Sequence, residues 1–209
     1  SYSTDWWGTQ IRGLPVRNYF IDGVPMMLYW GGDFPVEIAE NVTALKGLTG
    51  FMHGFGTPGG ALSYDLKRVK DIDETTVYLG WRNPGLVSLH VDTSRKLTED
   101  FGLRANVATE RGTTYNDSKI ERTVASLAFD KRFRGSVSWF TTLAYESHRN
   151  KGEPFFFSDL EEYETTQNGA GLPSPTYRYQ DIDVDNSYYK TRTLLAVTGL
   201  KWQIDERWS

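Results

Sequence analysis

The sequence predicts a mostly β protein in two parts: a glycine-rich first part with short apolar runs and one short helix, then long antiparallel strands of barrel type. Three observations point there. Gly47, Gly50, Gly54, Gly56, Gly59 and Gly60 crowd residues 41–69 around Pro58, and the stretch closes on Lys67-Arg68. Glycine at that density marks a backbone that turns sharply or runs close to other backbone. From Thr75 onward apolar and polar residues alternate with period two, so successive side chains face opposite sides of a sheet. Finally, the alternating runs exceed the usual strand length of about 5–6 residues and are joined by short turns at one end and longer loops at the other.

In the first part, Val36, Ile38, Ala39, Val42 and Leu45 recur at a spacing that lines one face of a short helix over 36–45. Strands follow near 75–82, 86–97, 101–112, 119–133, 136–148 and 188–204. Over 136–146, Val137, Trp139, Thr141, Leu143 and Tyr145 oppose Ser138, Phe140, Thr142, Ala144 and Glu146. Similarly, Phe101, Leu103, Ala105 and Val107 oppose Gly102, Arg104, Asn106 and Ala108. Thr98-Glu99-Asp100 and Arg134-Gly135 serve as tight connections, whereas 149–187 is far longer than an ordinary loop. A soluble antiparallel sandwich would alternate in the same way. Strand length, together with Trp81, Trp139, Trp202 and Trp208 near strand ends, favours a transmembrane barrel.

Composition excludes several classes. Among 209 residues, no run approaches the roughly 20 apolar residues of a membrane helix, a test that β-barrels escape. Net charge is −4 and no basic cluster is long enough to follow a phosphate backbone, so nucleic acid is not expected. Without cysteine there is neither a disulfide framework nor a thiolate metal site. No signal-peptide pattern follows Ser1. Gly54-Phe55-Gly56-Thr57-Pro58-Gly59 fits the dinucleotide-binding spacing, but Pro58 lies inside it and no strand–loop–helix unit surrounds it. The run Asp181-Ile182-Asp183-Val184-Asp185-Asn186 begins like a calcium loop, yet the sixth position is not Gly and the twelfth is Arg192, so it reads as a solvated acidic loop. His53, His90 and His148 are isolated, and no nucleophile–base arrangement occurs. The chain is expected to be no enzyme, with no cofactor and no metal site.

Three motifs carry a resemblance. Ile11-Arg12-Gly13, then Phe20-Ile21-Asp22-Gly23-Val24-Pro25, then Gly47 followed by Gly54, Gly56, Pro58, Gly59, Gly60, Lys67 and Arg68 stand in the order and spacing of the plug domain of TonB-dependent outer-membrane receptors. The sequence resembles that family, the ferric-siderophore type in particular. Leu48, His53 and Val69 replace the Pro, Tyr and Pro usual there, and none disturbs the glycine frame. Asp22-Gly23 is also, by itself, a good two-residue hairpin turn.

The resemblance implies residues 1–74 as the C-terminal part of a plug, a small mixed sheet with a short helix. Residues 75–209 would be the first strands, about six, of a transmembrane β-barrel left incomplete in this chain. It implies uptake of ferric siderophores across the cell outer membrane of a Gram-negative bacterium. The partners would be TonB, through a box absent from this chain, a ferric siderophore and outer-membrane lipid. It places ligand contacts at Tyr29, Trp30 and Arg17, where aromatic rings and a cation suit a planar anionic iron chelate. The alternatives are a related receptor for another nutrient and a soluble β-rich binding protein or adhesin. The latter would bury Leu89, Leu103, Leu127 and Leu143, which the barrel turns toward lipid.

Overall fold

The computed structural model describes residues 10–11, 14–16, 18–26, 34–47, 59–115, 117–133, 137–152 and 187–204. Two short strands, β1 (Gln10–Ile11) and β2 (Leu14–Pro15), pair with each other. A four-stranded sheet follows, built from β3 (Asn18–Ile21), β4 (Val24–Met26), β5 (Ala39–Lys46) and β6 (Gly60–Leu66) in the order β4-β3-β6-β5. β3 and β6 run parallel, and the other pairs are antiparallel. Six long strands then form one antiparallel meander: β7 (Glu74–Arg82), β8 (Leu86–Lys96), β9 (Phe101–Thr113), β10 (Lys119–Arg132), β11 (Val137–Lys151) and β12 (Tyr188–Trp202). Its two edges, β7 and β12, do not meet, so the barrel is not closed.

The six strands fall where the alternation predicts them. β11 is the main departure: pairing continues three residues past 148, to Lys151. The helix expected over 36–45 is corrected. A single 3₁₀ turn, Val36–Ile38, starts after Pro35, and the chain then enters β5. Pairing with β6 overrides the helical spacing, because β5 gains a ladder of backbone hydrogen bonds along its length, and β-branched Val42 and Thr43 suit a strand. Ile38 is buried while Val42 is 51% exposed, so the supposed helical face never forms.

The long sheet is built inside out compared with a water-soluble one. The side chains toward the small sheet include the buried Arg104, Asn106, Glu110, Arg122 and Glu146. The opposite face is apolar and uncovered: Leu89 is 40%, Leu127 43% and Leu143 45% exposed, and Leu103 is half-buried. None of these four leucines enters a core, contrary to what a sandwich requires. The apolar core that does form straddles both sheets. Val16, Tyr19, Ile21, Phe34, Ile38 and Tyr64 from the small-sheet side meet Ala108, Val124, Ala144 and Leu195 of the long strands. Phe34 stacks on Tyr64 with ring centroids 4.1 Å apart. Small side chains on the wall let the small sheet approach closely.

Asp22-Gly23 forms the expected turn, both residues with positive φ (49° and 78°), which matches the mirror-image turn of a tight hairpin. Gly60, at φ 109°, lies so close to Leu45 that a Cβ would stand 1.9 Å from the Leu45 carbonyl oxygen. Gly47 also has a positive φ, 88°, but a Cβ there would meet nothing within 4 Å. Gly47→Ala should therefore cost only backbone strain, about 1–3 kcal/mol. Gly60→Ala adds a backbone clash and should lower the denaturant midpoint of the small sheet clearly further. Equal midpoints for the two variants would contradict this packing.

Candidate functional site

The interface between the small sheet and the inner wall of the long strands gathers the charges that alternation places on one face. Arg122, on β10, is 6% exposed at its side chain. Its Nη1 and Nη2 donate to Glu37 Oε1 and Oε2 at 2.5 and 2.8 Å, a bidentate pair that joins the 3₁₀ turn to the wall. Arg122 Nε donates to Glu146 Oε1 on β11 at 2.5 Å, and Glu110 Oε2 on β9 lies 3.6 Å from Nη1. Glu110 also pairs with Arg82.

One level nearer the short turns, Arg104 repeats the scheme. Its Nε and Nη2 grip both oxygens of Asp92 at 2.9 and 2.8 Å, while Nη1 reaches Glu40 Oε2 at 2.8 Å and the Arg68 carbonyl at 2.9 Å. Lys67 Nζ donates to the same Asp92 at 2.7 Å and to Asn106 Oδ1 at 3.1 Å. His90 Nε2 is 3.3 Å from that Asn106 oxygen, and its ring stacks on Tyr78.

The lowest level is the chain leaving the small sheet. Arg68 Nη2 donates to Asp22 Oδ2 at 2.5 Å, and its guanidinium lies 3.7 Å from the centre of the Phe140 ring. Asp22 Oδ1 accepts from the Leu66 amide at 2.9 Å. Beyond Arg68 two amides are taken by the wall: Val69 N donates to Asp130 Oδ2 at 2.6 Å and Lys70 N to Ser94 Oγ at 2.9 Å. Gly102 makes the approach possible, since a Cβ there would sit 2.3 Å from Val69 Cγ1.

Buried charges of this kind cost several kcal/mol each in desolvation, and their pairing repays it only when geometry is good and the remaining lone pairs are used. The two wall arginines supply that geometry. Each is forked onto a carboxylate and makes at least one further contact. Burial pushes the Glu37 carboxyl up, but its hydrogen bonds to Arg122 and that residue's charge outweigh burial and hold it below the usual carboxylate range. Among the described residues no three His, Cys, Asp or Glu gather as a metal site. The arrangement holds one charged surface against another; among the described residues it sets no nucleophile beside a base.

Of the residues expected from the motifs, Asp22, Gly23, Gly47, Gly59, Gly60, Lys67 and Arg68 are described. The Asp22–Arg68 pair joins two motifs 46 residues apart in the chain. Arg12, Gly13, Arg17, Tyr29, Trp30, Gly54, Gly56 and Pro58 lie outside the described residues, as does 153–186. Glu37, Glu40, Asp92, Arg104, Glu110, Arg122 and Glu146 were not singled out from sequence. A signal existed for one pair, because the register sets Arg122 directly opposite Glu110.

Removing Arg122 leaves Glu37 and Glu146 facing each other without the cation. Arg122→Ala should destabilise docking of the small sheet by about 3–5 kcal/mol. Glu37→Gln, which keeps the shape and one hydrogen bond, should cost less. Hydrogen exchange on β3 and β6 in the complete protein reads both, and equal protection in Arg122→Ala and wild type would refute the pairing. The Glu37 shift also fixes a pH sense. A carboxyl lowered in the folded state contributes stability that is full above its unfolded value and is lost as pH falls through the folded one. Protection factors, with the intrinsic pH dependence of exchange divided out, should therefore be flat near neutrality and fall on acidification below the ordinary carboxylate range. In Glu37→Gln that acid fall should be smaller.

No family model matches the chain. Solved structures do. The chain aligns over 94% of its length with the Pseudomonas aeruginosa receptor FpvA, determined bound to heterologous pyoverdines (TM-score 0.73, 20% identity). It aligns over 94% with the ferric-catecholate import receptor Fiu of Escherichia coli K12 (TM-score 0.70, 17% identity). It aligns over 98% with BauA, the ferric preacinetobactin receptor of Acinetobacter baumannii (TM-score 0.71, 19% identity). It spans 27%, 31% and 30% of those chains respectively. A small mixed sheet docked by three levels of charge on an unclosed, outwardly apolar six-stranded sheet thus matches part of the TonB-dependent receptor fold.

Proposed function

We propose that this chain is part of an outer-membrane receptor for TonB-dependent uptake of ferric siderophores. In this reading residues 1–74 are the C-terminal part of the plug, and residues 75–209 are about six strands of the barrel around it. The observation that carries the proposal is the reversed polarity of the long sheet: charged, buried residues face the small sheet, and leucines face outward. That distribution is unfavourable in water and favourable in a bilayer, where an apolar band about 25 Å tall must be presented. The FpvA, Fiu and BauA likeness supports the siderophore class.

The polar interface fits a plug that must be rearranged without losing its place. An apolar interface of the same size would bind in a way that grips equally at any register. Paired charges instead fix one docked position and can be solvated once water enters the lumen. TonB would act on the plug from the periplasmic side, and Tyr29, Trp30 and Arg17 would contact the chelate at the opposite face. No covalent step is required.

Two measurements test this. Leu127→Arg should cost about 2–4 kcal/mol of folding into a bilayer, and Thr123→Arg, four residues nearer the rim of the same outward face, about 0–1 kcal/mol. Urea titration of the complete receptor refolded into vesicles reads the difference. Equal costs would end the membrane reading. Tyr29→Ala and Trp30→Ala in the complete receptor should each weaken ferric-chelate binding about tenfold, or roughly 1.4 kcal/mol. Unchanged affinity would remove them from the ligand site.

A further inference from the structure

One nitrogen of Arg122 lies between two acids. Its Nη1 donates to Glu37 Oε1 on the 3₁₀ turn at 2.5 Å. Glu110 Oε2, on β9, stops 3.6 Å from the same atom, beyond hydrogen-bond reach. Among the described residues Glu110 Oε2 has no hydrogen-bond partner, although the Glu110 side chain is only 8% exposed. A buried carboxylate oxygen in that condition costs free energy, so a second interaction has to hold Glu110 off Arg122. Arg82 supplies it, with Nη2 donating to Glu110 Oε1.

Arg82 is placed where another anion can draw it away. It ends β7 at the side of the sheet from which the long 153–186 connection leaves, opposite the short turns. Its side chain is 52% exposed, against 6% for Arg122. Glu110 shares a cross-strand row with Ser88 and Gly80, and Arg82 spans these two small residues to reach it. Opening such a pair costs the exposed cation little, because water or a new anion replaces what it loses. The cost falls on Glu110, which stays buried. Its remaining cation is then Arg122, set directly beside it by the register, so a side-chain rotation closes the gap. Arg122 Nε is on Glu146 and Nη2 on Glu37 Oε2, which leaves Nη1 as the atom over which Glu110 and Glu37 compete.

We infer that Arg82 is a positioning residue for uptake: an anionic chelate seated at the long-loop end takes the Arg82 guanidinium, and the released Glu110 competes with Glu37 for Arg122 Nη1, so that the small sheet is loosened when substrate is present. This rests on the receptor reading given above. A guanidinium fork suits the oxygens of a catecholate, hydroxamate or carboxylate chelate as well as those of Glu110. The two-state element is Arg122 Nη1, committed to Glu37 in one state and to Glu110 in the other. The coupling is reciprocal, so a small sheet held more firmly by Glu37 weakens chelate binding by the same factor.

Hydrogen exchange over 36–46 in the complete receptor, with and without chelate, reads the competition. Without chelate, Arg82→Gln should lower protection severalfold, because Glu110 is already released. Arg82→Lys, which keeps a cation, should restore most of it. Glu110→Gln removes the competing charge and should stand at or above wild type. The double variant Arg82→Gln, Glu110→Gln should return to the wild-type level. A merely structural ion pair predicts instead that both single variants lose protection alike. That result overturns the inference, and so does a double variant that stays at the Arg82→Gln level. The double variant carries the test by itself if Glu110→Gln does not refold. For the loaded state the probes are ferric tris-catecholate, ferric trihydroxamate and ferric citrate. The probe that binds wild type should lower its protection to the Arg82→Gln level and leave Glu110→Gln unchanged; wild-type protection that does not fall overturns the inference. The siderophore reading fails separately, if none of the three probes binds, and the chelate-free comparison still decides whether Arg82 holds Glu110 off Arg122.

Discussion

Arg122 holds carboxylates from three separate segments, Glu37, Glu110 and Glu146, in a place that water reaches poorly. Each partner alone would be expensive to bury. Together they form a set in which the cation makes the anions tolerable and the anions fix the orientation of the cation. The docked position of the 3₁₀ turn follows from it, and with it the start of β5 and the seat of Ile38 in the shared core. Arg104 does the same one level lower, sharing Asp92 with Lys67. The small sheet is therefore located by charge geometry at its long-loop side and by backbone donors at its exit.

The two sheets divide the work of burial between them. The small sheet has too few strands for a core of its own, and its buried aromatics use the wall's Ala108, Val124 and Ala144 as their second layer. The long sheet in turn carries charges on that face which no apolar partner could cover. Neither surface is stable bare, so the fold depends on complementarity across a partly polar, partly apolar seam. Such a seam favours one register over all others, because a shift of a few ångströms along the wall would leave Glu37, Glu40 and Lys67 away from their partners.

The long strands were legible in sequence because period two survives wherever one face is apolar. Where it fails, the reading failed too. At the far end of β11, Ser147, Arg149 and Lys151 occupy outward positions, so the alternation vanished although the ladder continues to Lys151. The segment 36–45 misled for the opposite reason. Its spacing fits a helix locally, and only the distant β6 supplies the reason for a strand. The parallel β3–β6 pairing and the Glu37–Arg122 contact, 85 residues apart, left no local trace. Asp22 was legible as a turn residue, but not as the acceptor shared by Leu66 and Arg68.

The close approach of Val69 to Gly102 ties a position in the connection between β6 and β7 to one inside β9. With 2.3 Å between Val69 Cγ1 and a would-be Cβ, volume added at 102 has to be surrendered at 69. The two sites thus behave as one steric allele. Among relatives that keep this geometry, a side chain at the position of Gly102 belongs with glycine or alanine at the position of Val69, and a chimera that joins one relative's small sheet to another's wall inherits a mismatch unless both positions are exchanged together.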